Sequence, residues 1–121
     1  MIQMNEYEVL LKVTLSALEE IEANSEKEAL EKVKEAYLNG KIMGDIWKDE
    51  FYNSYKTEIE GVEGNVYSIR IYVTLDTLVG LETYSEERAL EKAQEWYNDG
   101  EIMGDIWGHE YYDGYELDIV H

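Results

Sequence analysis

Carboxylates dominate the chemically active side chains of this 121-residue chain, which has 28 Asp and Glu against 10 Lys and Arg. Two carboxylates can act as general acid and base, but in so acidic a chain almost any pair would satisfy that criterion. The only histidines are His109 and His121, and cysteine is absent, so Ser-His-Asp and Cys-His arrangements lack support. We therefore predict a protein that is not an enzyme and that uses no cofactor.

The loop motifs that hold metal ions or phosphates are incomplete. Asn98-Asp99-Gly100-Glu101, with Asp105 after it, superficially resembles a calcium loop. It lacks the alternating Asp ligands and the Glu at the twelfth position. Gly40 and Gly44 lack the Lys-Ser/Thr pair that completes a phosphate-binding loop. We interpret these residues as helix ends followed by solvated loops, and we predict no metal site.

The net charge of −18 is the strongest functional signal in the composition. A chain of this size folds to a body about 35 Å across, and the same length of duplex DNA carries about 20 charges. Solubility alone needs a magnitude of only about 2–8. Because phosphate contacts need Lys and Arg, the charge argues against direct nucleic-acid binding and favours a basic protein partner. A halophilic source would produce the same bias.

The chain shows no membrane or export signal. No apolar run approaches the roughly 18 residues of a membrane span. The start, Met1–Glu6, lacks the basic and apolar stretches of a signal peptide. We expect a cytoplasmic protein that does not contact a membrane.

An internal repeat organises the sequence. Residues 1–60 align with residues 61–120 without a gap and share 26 identities. The segment Gly40–Trp47, for example, recurs almost unchanged as Gly100–Trp107. We predict two tandem repeats, 1–60 and 61–121, that form a single cooperative domain because the connection at residues 61–65 is short.

Each repeat predicts the element order ββαβ. Alternating apolar residues indicate a strand at 7–15 and at 67–75, and a second short strand at 18–23 and 78–84 would complete a hairpin. Ser25 and Glu28 form a capping box, and Gly40 stands where a helix ends. Helices are expected near 26–39 and 86–98, and last strands near 55–60 and 115–120. The predicted fold class is α+β, with an antiparallel sheet and one main helix per repeat in one compact domain.

The strand and helix motifs resemble a known family. Tyr7–Leu15 (YEVLLKVTL), followed by Glu22–Gly40 (EANSEKEALEKVKEAYLNG), is similar to the DpnD/PcfM-like domain. The resemblance covers Tyr7–Ile42 and, more loosely, Tyr67–Ile102, whereas Met43–Tyr55 departs from the family pattern. The family carries no assigned catalytic residues and is encoded on bacterial mobile elements and phages. The resemblance thus implies a setting of conflict between a phage or plasmid and its host.

The aromatic residues after each helix have two interpretations. In the first interpretation these residues fill the space between helix and sheet. They are Ile46, Trp47, Phe51 and Tyr55 in the first repeat and Ile106, Trp107, Tyr111 and Tyr115 in the second. In the second interpretation they form an exposed patch, where aromatic rings beside acids suit an Arg-rich partner.

The two repeats differ in charge. Each has 14 acidic residues, but the first has seven basic residues and the second three, which gives net charges of −7 and −11. Lysines 27, 41 and 56 become Glu87, Glu101 and Glu116, and lysines 34 and 48 become Gln94 and Gly108. We predict that the second repeat carries the partner-binding face, through Glu87, Asp99, Glu101, Asp105, Glu110, Asp113 and Glu116.

Charge and resemblance together favour an inhibitor that mimics DNA. In this hypothesis a monomer or homodimer occupies the basic nucleic-acid-binding surface of a host nuclease, such as a Cas or restriction nuclease, in the manner of anti-CRISPR and anti-restriction proteins. The alternative is a small protein-interaction or adaptor module of a mobile element that binds its partner without mimicry.

Overall fold

Four strands and two helices make up the computed structural model, which describes residues 3–121. The elements are β1 (Asn5–Glu22), α1 (Glu26–Leu38), β2 (Tyr52–Glu63), β3 (Val66–Thr83), α2 (Glu86–Asn98) and β4 (Tyr112–Val120), with short 3-10 helices at Ile46–Lys48 and Ile106–Gly108. The strands form one open antiparallel sheet in the order β2-β3-β1-β4. The predicted α+β class, with one main helix per repeat, is confirmed. Within residues 3–121, no helix has the length and apolar character needed to cross a membrane.

Each repeat begins with one long strand where the sequence predicted a hairpin. Strands β1 and β3 each contain 18 residues and run through the predicted turns near residues 16–17 and 76–77. Buried side chains keep to alternate positions along β1, from Val9 to Ala17. The predicted turns, Ser16-Ala17 and Asp76-Thr77, contain no Gly or Asn, the residues that most readily adopt the positive φ angles of a two-residue hairpin turn. The two short strands of each repeat are therefore one continuous strand.

The chain packs as two units whose boundaries lie within the long strands. One unit, here called the α2 unit, comprises residues up to Val13 together with Asp76–His121, and the other, the α1 unit, comprises Thr14–Leu75. Each unit therefore combines the helix and last strand of one repeat with parts of β1 and β3.

The core of the α2 unit lies between α2 and the strands. Val9 of β1 and Val79 and Leu81 of β3 pack with Ala89 and Ala93 of the helix. Small alanine side chains let the helix backbone approach the sheet closely. Partly buried residues complete this core: Tyr7, Leu90, Ile102, Leu117 and Ile119.

The α1 unit has the corresponding arrangement. The helix buries Ala29, Val33 and Tyr37. Buried strand residues in this unit include Leu15, Ala17, Ile69, Ile71, Val73 and Leu75. The same spacing of small and aromatic residues on the two helices (29, 33, 37 and 89, 93, 97) thus produces the same buried stripe.

The helix starts are capped as the sequence predicts. The Ser25 hydroxyl accepts a hydrogen bond from the Glu28 N–H at 3.1 Å, and Ser85 does the same for Arg88 at 3.2 Å. The Glu28 carboxylate accepts from the N–H of Asn24 at 3.4 Å, one residue earlier than a regular capping box.

Both helices end in a Schellman motif. Gly40 and Gly100 have φ angles of 76° and 77°, in the left-handed region. In the second repeat the N–H of Glu101 donates to the carbonyl of Trp96 at 2.9 Å, and that of Gly100 donates to Tyr97 at 3.1 Å. These bonds fix the direction in which the acidic segment leaves α2.

Candidate partner-binding surface of the α2 unit

All seven acidic residues predicted to bind a partner lie in the α2 unit and are exposed. They are Glu87, Asp99, Glu101, Asp105, Glu110, Asp113 and Glu116. Five of them fall between residues 99 and 113, where the chain passes from the end of α2 to the start of β4. Glu87 stands apart in the first turn of α2, about 18 Å from Asp99 at 1.5 Å per residue.

Glu116 lies on a different side of β4 from the core. Leu117 and Ile119 pack against the core of the α2 unit. Because side chains alternate along a strand, Glu116 and Asp118 point to the opposite sheet face, and both are exposed. The seven acids therefore do not form a single row.

The negative charge is unevenly divided between the two units. The α2 unit has 15 acidic and three basic residues, a net charge of −12. The α1 unit has 13 acidic and seven basic residues, a net charge of −6. Two thirds of the net charge thus belongs to about half of the chain.

The predicted acids also have no cationic partners among the described residues. Among the described residues of the α2 unit, Arg88 forms a salt bridge with Glu91 at 3.5 Å, and the His121 ring nitrogen lies 3.7 Å from the Glu86 carboxylate. Neither contact involves one of the seven acids. In the first repeat Asp45 pairs with Lys48 at 3.4 Å, whereas Asp105 has Gly108 at the corresponding position. These carboxylates are available to cations from outside the molecule.

An aromatic cluster lies where α2 meets β4. The ring of Tyr97 is 5.6 Å from that of Trp107 at an angle of 73°, and 4.3 Å from that of Tyr115. The hydroxyl oxygens of Tyr97 and Tyr112 are 2.7 Å apart. Burial, with help from this hydrogen bond, raises the pKa of Tyr97 well above its usual range, so the phenol stays neutral.

The α1 unit contains the same cluster but covers it more. Tyr37 contacts the rings of Trp47 and Tyr55 at 5.7 and 4.3 Å, and its hydroxyl donates to that of Tyr52 at 3.1 Å. Trp47, Phe51 and Tyr55 are half-buried and Ile46 is buried, as the core interpretation predicts. In the α2 unit, by contrast, Trp107 is 39% exposed and Tyr115 40% exposed. The core interpretation therefore describes the first repeat, whereas in the second repeat Trp107 and Tyr115 are exposed and Ile106 and Tyr111 are half-buried.

Each unit has a depression between its helix and its last strand. In the α2 unit an open pocket of about 400 Å³ is lined by Tyr97, Asn98, Trp107, Tyr112 and Tyr115. In the α1 unit a groove of about 520 Å³ is lined by Glu26, Lys27, Leu30, Glu31, Lys34, Tyr55 and Thr57. The α2 unit differs at the positions that correspond to this groove. There Tyr115 donates a hydrogen bond to Gln94 at 2.6 Å, and Leu117 stands in place of Thr57.

Sequence reasoning did not identify the pocket, although one signal was present. Asn98 and Gln94 replace Leu38 and Lys34, so the last turn of α2 gains a polar pair beside the aromatic residues. Within residues 3–121 no three His, Cys, Asp or Glu side chains are placed to hold a metal ion.

Fold and surface together define an α+β repeat protein with an unpaired acidic surface in one unit. Residues 7–53 match the DpnD/PcfM-like protein family, which confirms the family resemblance in the first repeat. The match continues to residue 53, so the expected departure from the family pattern at Met43–Tyr55 is wrong for residues 43–53. No curated protein and no solved structure gives a significant match.

Proposed function

We propose that the protein is a non-catalytic inhibitor that binds the basic nucleic-acid-binding surface of a nuclease in place of DNA, as anti-CRISPR or anti-restriction proteins do. The observation that carries the proposal is the set of exposed carboxylates in the α2 unit that lack cationic partners among the described residues. Carboxylates at such positions pair with the Arg and Lys side chains that otherwise hold phosphates.

The fold itself does not need three of these carboxylates. The first repeat builds the same helix, cap and turn with Lys27, Lys41 and Lys56 where the second has Glu87, Glu101 and Glu116. Like charges at short range destabilise a folded chain. A net charge of −12 in one unit therefore lowers stability without a structural benefit, which is the pattern expected of a binding surface.

The experiment exchanges charges that the fold already tolerates. The variant Glu87→Lys, Glu101→Lys, Glu116→Lys installs the first-repeat residues and changes the net charge by +6. Its control, Glu31→Lys, Glu35→Lys, Glu58→Lys, makes the same change at exposed positions of the α1 unit. Both are tested for inhibition of DNA cleavage by a panel of Cas and restriction nucleases.

We expect the α2-unit variant to lose inhibition and the control to keep most of it. Equal losses would mean that net charge alone acts, and loss only in the control would place the surface in the α1 unit. A partner that binds but is not displaced by DNA would contradict mimicry and support the alternative, an adaptor module.

A further inference from the structure

We propose that the aromatic pocket of the α2 unit, lined by Tyr97, Asn98, Trp107, Tyr112 and Tyr115, binds the guanidinium group of an arginine side chain. This inference rests on the proposed function for its partner, a basic protein, and names the chemical group that the partner inserts.

The exposed rings supply the attraction. Trp107 and Tyr115 are both about two-fifths exposed and both contact the buried ring of Tyr97, which is 2% exposed. A cation within about 6 Å of an aromatic face is attracted by the ring quadrupole, most strongly by Trp. The exposed rings of Trp107 and Tyr115, packed on the buried ring of Tyr97, can therefore bind a cation.

A chain of hydrogen bonds holds one wall of the pocket in place. The Tyr115 hydroxyl donates to the Gln94 side-chain oxygen at 2.6 Å, and the Gln94 amide donates to the Asn98 oxygen at 2.9 Å. Lys34 and Leu38 occupy the two helix positions in the first repeat, and Leu38 has no polar side-chain atom. The pre-organised wall belongs to the second repeat, and pre-organisation lowers the entropic cost of binding.

The polar atoms favour arginine over lysine. The side-chain oxygens of Asn98 and Tyr115, both exposed residues of the pocket lining, can each accept a further hydrogen bond. The guanidinium group is planar, stacks on aromatic faces and carries five N–H donors at its edge, whereas the ammonium group of lysine is a compact, strongly hydrated charge. An arginine side chain can therefore stack on the rings and donate hydrogen bonds to these acceptors at the same time.

The charge around the cluster has the sign that the ligand requires. Asp99 follows Asn98 directly, and Asp113 follows Tyr112, and both carboxylates are exposed. Lys41 and Lys48 in the corresponding segment of the first repeat would repel a cation, and the second repeat has Glu101 and Gly108 there. The segment between helix and last strand thus contains two lysines in the first repeat and none in the second.

The test uses the indole N–H signals of the three tryptophans in NMR spectra of the intact protein. The probe is a tetra-arginine peptide at low salt, compared with tetra-lysine and with a trimethyl-lysine peptide. We expect the arginine peptide to shift the Trp107 signal while the Trp47 signal, in the matched cluster of the α1 unit, stays in place. Equal shifts of both signals, or no shift at Trp107, would overturn the site.

Two variants test the site independently of folding defects. We expect Trp107→Leu to weaken arginine-peptide binding about 3- to 30-fold, whereas Trp47→Leu leaves it unchanged. The double variant Gln94→Lys, Asn98→Leu keeps every ring and installs the first-repeat residues, and we expect it to weaken binding as well. Unchanged affinity in both α2-unit variants, with folding verified by circular dichroism, would show binding by net charge alone and refute the pocket.

The choice of ligand is tested in the same titrations. Preference for the trimethyl-lysine or lysine peptide would refute arginine as the ligand. Because these measurements contain no nuclease, failure of the pocket is separate from failure of inhibition.

Discussion

A pair of substitutions at one repeat position tests how the two helix–strand interfaces differ. Leu117 of β4 packs against the core of the α2 unit, and Thr57 of β2 lines the open groove of the α1 unit. We expect Leu117→Thr to destabilise the protein and Thr57→Leu to stabilise it, because a leucine at position 57 would cover the apolar groove wall formed by Leu30 and Tyr55.

The magnitude follows from partial burial. Full burial of a leucine side chain contributes about 1.5–3 kcal/mol, and Leu117 is only half-buried. Its replacement should therefore cost about 1–1.5 kcal/mol. The Thr57→Leu gain should be smaller, about 0.5–1 kcal/mol, because the groove stays partly open.

Urea denaturation followed by circular dichroism measures both effects. With a slope of about 1–3 kcal/mol/M, the Leu117→Thr midpoint should fall by about 0.3–1.5 M without a change in slope. The Thr57→Leu midpoint should rise. Unchanged midpoints in both variants would refute the view that the groove is an unfilled version of the second-repeat interface.

The remaining predictions concern salt, backbone and pH. Self-repulsion at −18 should make the melting temperature rise between about 10 mM and several hundred mM NaCl, and a flat curve in differential scanning calorimetry would show that the charges do not repel appreciably. Gly100→Ala and Gly104→Ala both force alanine to a φ above 60°, at about 1–2 kcal/mol each. Gly100→Ala should lose more in chemical denaturation because its Cβ would lie 3.2 Å from the Asp105 carboxylate oxygen, and a smaller loss than Gly104→Ala would contradict this contact. Because burial raises the pKa of Tyr97, the folded state holds its proton more tightly than the unfolded state, so the unfolding free energy should fall as pH rises above the ordinary value of 10.0. A Tyr97→Phe variant should show a weaker fall, and an identical pH profile would contradict the assignment.

The helices were predictable because their signals are local. The predicted bounds of both helices lie within one residue of the observed ones. They follow from the serine caps, from the apolar residues spaced four apart along each helix and from the terminal glycines. The predicted division of the first strands is wrong, because β1 and β3 continue through Ser16-Ala17 and Asp76-Thr77, where no Gly or Asn supplies the positive φ angles of a tight hairpin turn.

The candidate site was predictable only in part. Exposure of the acids follows from their type, and the side of β4 on which Glu116 lies follows from its alternation with Leu117. The exposure of Trp107 does not follow from the shared motif, because Trp47 lies in a nearly identical segment and is half-buried. The exposure of a side chain depends on which residues pack around it in the folded chain, and the repeats differ directly after the tryptophan, at Lys48 and Gly108.

Competition between the protein and DNA for one nuclease tests the central claim most directly. A labelled duplex is bound to a nuclease that the protein inhibits, and the protein is added at several salt concentrations. Mimicry predicts that the protein displaces the duplex, that excess DNA reverses inhibition, and that affinity falls steeply with salt. A ternary complex of nuclease, DNA and protein, or inhibition that salt does not weaken, would contradict it.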